Sequence, residues 1–138
     1  MKKLLFIFVM FGVVLFACDN KVEQHISQEV SQEASDKAHE FAENAKKEVA
    51  IGNNNKALKL FNESLKLHEV PWVFAERGKL KIDMNNDIEG AIVDLTKAID
   101  AEKRGIYYIW RADAYRKLGN DNLANADIEE SGKLPKDY

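Results

Sequence analysis

Apolar and polar positions along the chain fall into three regimes. Met1-Lys2-Lys3 opens onto an unbroken apolar run from Leu4 to Ala17, 14 residues long, which ends at Cys18-Asp19-Asn20. From Asp19 to about Lys37 the chain is rich in Gln, Glu, Ser and Lys and carries no Phe, Trp or Tyr. Val22, Ile26, Val30 and Ala34 stand four apart there. This second stretch reads either as a flexible spacer or as a partly helical cap. The stripe is thin and drifts around the axis, since four residues exceed the 3.6-residue turn. Beyond Ala38, apolar residues recur at helical spacing between breaks rich in Gly and Asn, a pattern that predicts helices throughout.

The third regime repeats itself. Phe41, Phe74 and Tyr108 stand 33 and 34 apart. Breaks follow at Gly52-Asn53-Asn54-Asn55, Asn85-Asn86-Asp87 and Gly119-Asn120-Asp121-Asn122. After each break a small residue precedes an apolar one by four: Ala57 and Phe61, Ala91 and Leu95, Ala124 and Ile128. Ser64, Ala98 and Ser131 come three later. The spacing predicts three helix-turn-helix units, at about 38–70, 71–104 and 105–134. Gly and Asn tolerate the left-handed backbone that ends a first helix. Small residues let the paired helices approach, and aromatics fill the remaining gap. One such unit cannot bury its apolar face alone, so units stack, and about three are needed.

Period and residues resemble the tetratricopeptide repeat (TPR) family, whose period is 34. Arg77-Gly78, Gly90-Ala91-Ile92 and Thr96-Lys97-Ala98-Ile99 carry the resemblance best, which covers about Ala38 to Lys133. There are departures: the second unit has one extra residue in its turn, and Asn44-Ala45 replaces Arg77-Gly78 and Arg111-Ala112. The resemblance implies an all-α fold, an α-solenoid whose first helices line a concave peptide-binding groove. By position that groove would include Lys46, Trp72, Lys79, Ile109, Asp113 and Arg116. Trp72 reads equally as a binding hot spot and as packing beside Pro71. The family's carboxylate-clamp pattern of lysines and asparagines is not reproduced. The chain ends soon after the last repeat helix, so Leu123 and Ile128 could be incompletely covered and self-associate.

The start has the parts of an export signal: two lysines, a core too short for the roughly 20 residues of a membrane span, and a small residue before a possible cut. Leu15-Phe16-Ala17-Cys18 resembles a bacterial lipoprotein box. The resemblance implies a leader over 1–17, a diacylglyceryl group on the Cys18 thiol, and cleavage before Cys18. An ordinary signal peptide or an uncleaved anchor is the alternative. Residues 18–37 would then be tether or cap, and 38–138 the repeat domain. Asp19 resembles the inner-membrane retention signal of enteric lipoproteins, and outer-membrane placement is the other option. The full chain has 20 basic and 23 acidic residues. Without the leader lysines the balance is 18 to 23, net −5, which excludes the basic footprint of a nucleic-acid binder and favours projection away from an anionic membrane.

Catalytic and metal chemistry has no pattern here. His25, His39 and His68 lack zinc-ligand spacing. Asp83 to Asp87 has the first three alternating positions of a calcium loop, but Ile88 stands where glycine is needed and Asp94 where glutamate is needed. No nucleophile elbow or phosphate loop occurs. The sequence predicts no enzyme, no cofactor beyond lipid on Cys18, and no metal. The expectation is a membrane-anchored TPR lipoprotein of the bacterial envelope that binds a protein or extended peptide as an adapter. The alternative is a structural lipoprotein that self-associates through its C-terminal repeat face.

Overall fold

The computed structural model describes residues 2–135, with side chains from Gln24 onward. Met1, the last three residues, 136–138, and the side chains of residues 2–23, that of Cys18 among them, lie outside the described residues. Two compact units divide the chain, Met1–Asp36 and Lys37–Tyr138. Six helices follow in order: α1 (Lys2–Ala50), α2 (Asn54–Leu67), α3 (Pro71–Asp83), α4 (Ile88–Ala101), α5 (Gly105–Lys117) and α6 (Asp121–Lys133). Among the described residues there is no strand and no helix long and apolar enough to cross a membrane.

In the first unit the stretch from 18 to 36, read from sequence as spacer or cap, is helix. Ile26 and Val30 of its stripe are exposed.

In the second unit three hairpins stack: the end of α1 with α2, α3 with α4, and α5 with α6. The fold is an all-α solenoid. Each turn is built by backbone chemistry visible in its residues. Gly52 at φ +81° and Gly119 at φ +73° end α1 and α5 in the left-handed region that suits glycine. The extra residue of the middle turn changes the solution. Asn85 and Asp87 both take positive φ, +49° and +56°, as Asn and Asp do most readily among non-glycine residues. Asp87 then caps α4, its carboxylate accepting from the Gly90 N–H at 3.1 Å. Pro71 sits in the first turn of α3, where its fixed φ fits and its missing N–H is not needed.

Small residues set the helix spacing. Ala57, Ala91 and Ala124, the equivalent positions of α2, α4 and α6, are all fully buried. A Cβ at Gly78 would lie 3.0 Å from Leu95 Cγ and 3.1 Å from the Ala91 carbonyl oxygen. That crowding is why α3 carries glycine there. Two apolar clusters run through the array. One gathers Ala42, Ala45, Phe61, Val73 and Leu80. The other gathers Phe74, Leu95, Ile99, Tyr107 and Tyr108.

A charged staple repeats inside this core. Arg77 grips Asp94 with two bonds, Nε to Oδ2 at 2.9 Å and Nη2 to Oδ1 at 2.6 Å, and its Nη1 donates to Asn62 Oδ1 at 2.7 Å. Arg111 does the same one repeat later, to Asp127 at 2.9 and 2.8 Å and to Thr96 Oγ1 at 3.0 Å. Each guanidinium therefore ties three helices: its own, its hairpin partner and the second helix of the preceding hairpin. Each also lies over an aromatic ring, Phe74 or Tyr108, at 5.6 Å. Side chains of Asp94 and Asp127 are only 5% and 7% exposed, so bidentate pairing is what makes their burial tolerable. Lys81 adds a second cation to the middle staple, 3.1 Å from Asp94 Oδ2 and 2.9 Å from Asp87 Oδ2.

Candidate functional site

The first helices of the three hairpins present one row of aromatic and charged side chains. Trp72 opens α3, and its body packs against the cluster around Phe61. Lys46 of α1 places its ammonium 5.3 Å from the centre of the Trp72 ring, and His39 meets the ring edge-on at 6.1 Å. Two turns along α3, Lys79 stands 5.9 Å from the Trp110 ring of α5. Trp110 in turn leans on Tyr107, with ring centres 6.1 Å apart. Each tryptophan thus packs on a core cluster and also meets a lysine.

Each lysine also has a carboxylate on its own helix. Lys46 pairs with Glu43 at 3.3 Å and Lys79 with Asp83 at 2.5 Å. Glu76 lies between them on α3, one turn after Trp72 and one before Lys79. Burial raises its carboxyl above the ordinary carboxylate value. Lys46 and Lys79 oppose that rise, while Asp83 and Glu43 add to it. Glu76 is also within electrostatic reach of Tyr107, whose phenol is raised chiefly by burial. Among the described residues, no hydrogen bond or ion pair satisfies Glu76.

The residues expected from sequence take different places in this geometry. Lys46, Trp72 and Lys79 join the row. Ile109, Asp113 and Arg116 lie exposed along one face of α5, with no bond among the described residues linking them to Trp72. Sequence reading missed Trp110, Glu43 and Glu76. Glu76 was legible by helical spacing, since positions i+4 from Trp72 and i−3 from Lys79 share a face. Trp110 was harder to find, because it sits one position away from the register that placed Ile109 in the groove.

Leu123 and Ile128 are 45% and 39% exposed on α6. Their neighbours differ from those of the inner hairpins. Asn125 and Gly132 occupy the positions held by Leu58 and Leu65 in α2 and by Ile92 and Ile99 in α4. A separate recess of about 390 Å³ lies between α2, α3 and α4, lined in part by Lys59, Lys66, Phe74, Arg77 and Lys97. Most of its cations are already committed: Lys66 to Glu63 at 2.7 Å, Lys97 to Glu69 at 3.3 Å, and Arg77 to the staple.

No protein-family model and no curated protein matches the chain. Among solved structures it is similar to one described as the second TPR of Spaghetti (RPAP3) bound to HSP90 peptide SRMEEVD. The two are 19% identical, with a TM-score of 0.76 over 82% of this chain and 98% of that one. At that identity the likeness speaks for the fold, and the fold is a TPR-like array of helical hairpins.

Proposed function

We propose that this protein is a lipid-anchored adapter of the bacterial cell envelope that holds a protein or an extended peptide in the groove formed by α1, α3 and α5. The observation that carries the reading is the row of Lys46, Trp72, Lys79 and Trp110 on the first helices. Half-exposed aromatic rings with flanking charges are the usual material of binding hot spots. A solved structure of similar fold has a peptide bound, which adds weight to a peptide or protein partner. Anchoring rests on sequence: the short apolar leader and the lipoprotein-like box ending in Cys18. A lipid on Cys18 would leave the array facing the periplasm, at the inner membrane if Asp19 acts as a retention signal and otherwise at the outer membrane. The role is one of binding, without a reaction of its own.

In-cell crosslinking with mass spectrometry tests this. Wild type is compared with Cys18→Ala and with a Trp72→Ala/Trp110→Ala double variant whose helicity is checked separately. The expected result is one envelope partner captured by wild type and lost in the folded groove variant, with Cys18→Ala released from the membrane fraction. A partner that survives loss of both tryptophans removes the groove from the reading. A second reading, self-association through α6, draws on the exposure of Leu123 and Ile128. Under it, sedimentation would show concentration-dependent assembly that Ile128→Asp abolishes.

A further inference from the structure

We propose that the groove selects a peptide bearing a lysine or arginine, seating that cation between Trp72 and Trp110 with Glu76 as its counter-charge; this rests on the groove reading above. The argument begins with a charge count. Glu43, Glu76 and Asp83 face this stretch, against Lys46 and Lys79. The two lysines are matched to Glu43 and Asp83, so the unmatched charge is the Glu76 carboxylate. It is the least solvated of the three: burial acts on it most strongly, and the relief it gets from Lys46 and Lys79 at a distance is opposed by Asp83 and Glu43. A half-buried anion without a partner gains most from an added cation.

The rings supply the second half of the argument. Both tryptophans already hold an ammonium within 6 Å, the range over which a ring quadrupole attracts a cation. Besides the ring contact, each lysine is held by one ion pair whose partners are about half exposed, a contact worth about 0–1 kcal/mol. A ligand cation can therefore displace one at little cost. It gains the ring face and direct contact with the desolvated carboxylate together, whereas Lys46 and Lys79 act on Glu76 only from beyond ion-pair distance. An acidic side chain at the same place would meet Glu43, Glu76 and Asp83 and be repelled.

Trp72 and Trp110 are the chain's two tryptophans, so tryptophan emission, excited selectively beyond the tyrosine absorption band, reports on this site. The full chain in detergent is titrated with three blocked hexapeptides: Ala-Ala-Arg-Lys-Ala-Ala, its Gln-Gln analogue and its Glu-Glu analogue. Only the basic peptide should shift the emission, and Glu76→Gln, with unchanged helicity, should weaken it at least about tenfold. Binding should also strengthen as pH rises through the Glu76 titration, with Glu43, Lys46, Lys79, Asp83 and Tyr107 as the other groups facing it. Equal or tighter binding of the acidic peptide, a response to none of the three, or an unchanged affinity in Glu76→Gln overturns the proposal. None of those outcomes touches the adapter reading, which stands or falls on capture of a partner in cells.

Discussion

The first hairpin of the array and the two that follow reach the same geometry by different chemistry. In the second and third, a buried arginine grips a buried aspartate and reaches back to the preceding hairpin. In the first, Asn44 and Leu60 occupy those positions, and the helices meet through Ala38, Ala42, Ala45, Ala57 and Phe61, all fully buried. Two polar ties cross it: Ser64 Oγ donates to the Ala38 carbonyl at 2.7 Å, and Lys56 of α2 pairs with Glu48 of α1 at 2.7 Å beside the turn. Close apolar contact can therefore set hairpin spacing here without a buried arginine–aspartate pair. The staples add a directional link between neighbouring hairpins, at the risk that losing one partner strands a charge in the core.

The largest effect should come from breaking the middle staple. Asp94→Ala strips the ion-pair partner from Arg77 and leaves Lys81 with Asp87 alone, both cations having side chains only 17% and 14% exposed. Removing one member of a buried pair costs about 3–5 kcal/mol, a large share of the roughly 5–15 kcal/mol that holds a domain folded. Asp127→Ala strands only Arg111, because Tyr115 stands where the middle hairpin has Lys81, so its cost should fall below that of Asp94→Ala. Urea denaturation of the two variants decides it. Equal losses would mean that the second cation contributes nothing and that the staples are equivalent.

Gly78→Ala comes next. The new methyl would press on Leu95 Cγ, the Ala91 carbonyl and Asp94 Cβ at 3.0, 3.1 and 3.3 Å. Overpacking of this kind costs about 1–3 kcal/mol, against about 1 kcal/mol regained from helix propensity, so a net loss of about 1 kcal/mol is expected. The first and third hairpins carry alanine at this position, Ala45 and Ala112, both fully buried. A stabilised Gly78→Ala would show that the middle hairpin can open to the same spacing as its neighbours.

These contrasts show how far the sequence could be read. Repeat period and buried small residues were visible because one spacing recurs three times, and steric fit at a helix crossing is a local demand. The extra residue in the middle turn was visible too, but its outcome, left-handed Asn85 and Asp87 in place of one glycine, was not, since several turn shapes accept four residues. Arg77 and Arg111 were seen as repeated letters, while their partners Asp94 and Asp127 were overlooked. Pairing across a hairpin depends on which way each helix is rotated, and the apolar pattern fixes that only loosely. The row was read in part for the same reason: Lys46, Trp72 and Lys79 were singled out from the spacing, while the facing of α5 that brings Trp110 to Lys79 was not.

Ser64→Ala refines the comparison within the first hairpin. Ala98 fills the equivalent place in the second, so the smaller side chain fits the geometry. Loss of the buried hydroxyl bond should cost about 1 kcal/mol, read as a lowered urea midpoint with an unchanged slope. An unaffected midpoint would mean that the buried hydroxyl bond adds nothing to the apolar contacts and the Lys56–Glu48 pair that hold α1 to α2.

The smallest expected effect separates the groove from the core. Asp94 is charged, buried and paired, while Glu76 is charged, half-buried and unpaired. Because burial raises the Glu76 pKa, the folded chain binds that proton more tightly than the unfolded chain does. Its contribution to stability therefore falls as pH rises from the ordinary carboxylate value through the raised one. Glu76→Gln removes this slope. The variant should be the more stable protein at neutral pH, by about 0.5 kcal/mol or less, and the two should converge below the ordinary carboxylate range. Thermal melts between pH 4 and pH 7 can resolve the trend. Binding of a basic peptide should run the opposite way, growing as Glu76 ionises, so one carboxylate would destabilise the free array under the conditions in which it holds a ligand. A glutamine variant less stable than wild type at pH 7 would mean that Glu76 already has an attractive partner in the free protein, and the groove would then have no charge left to offer.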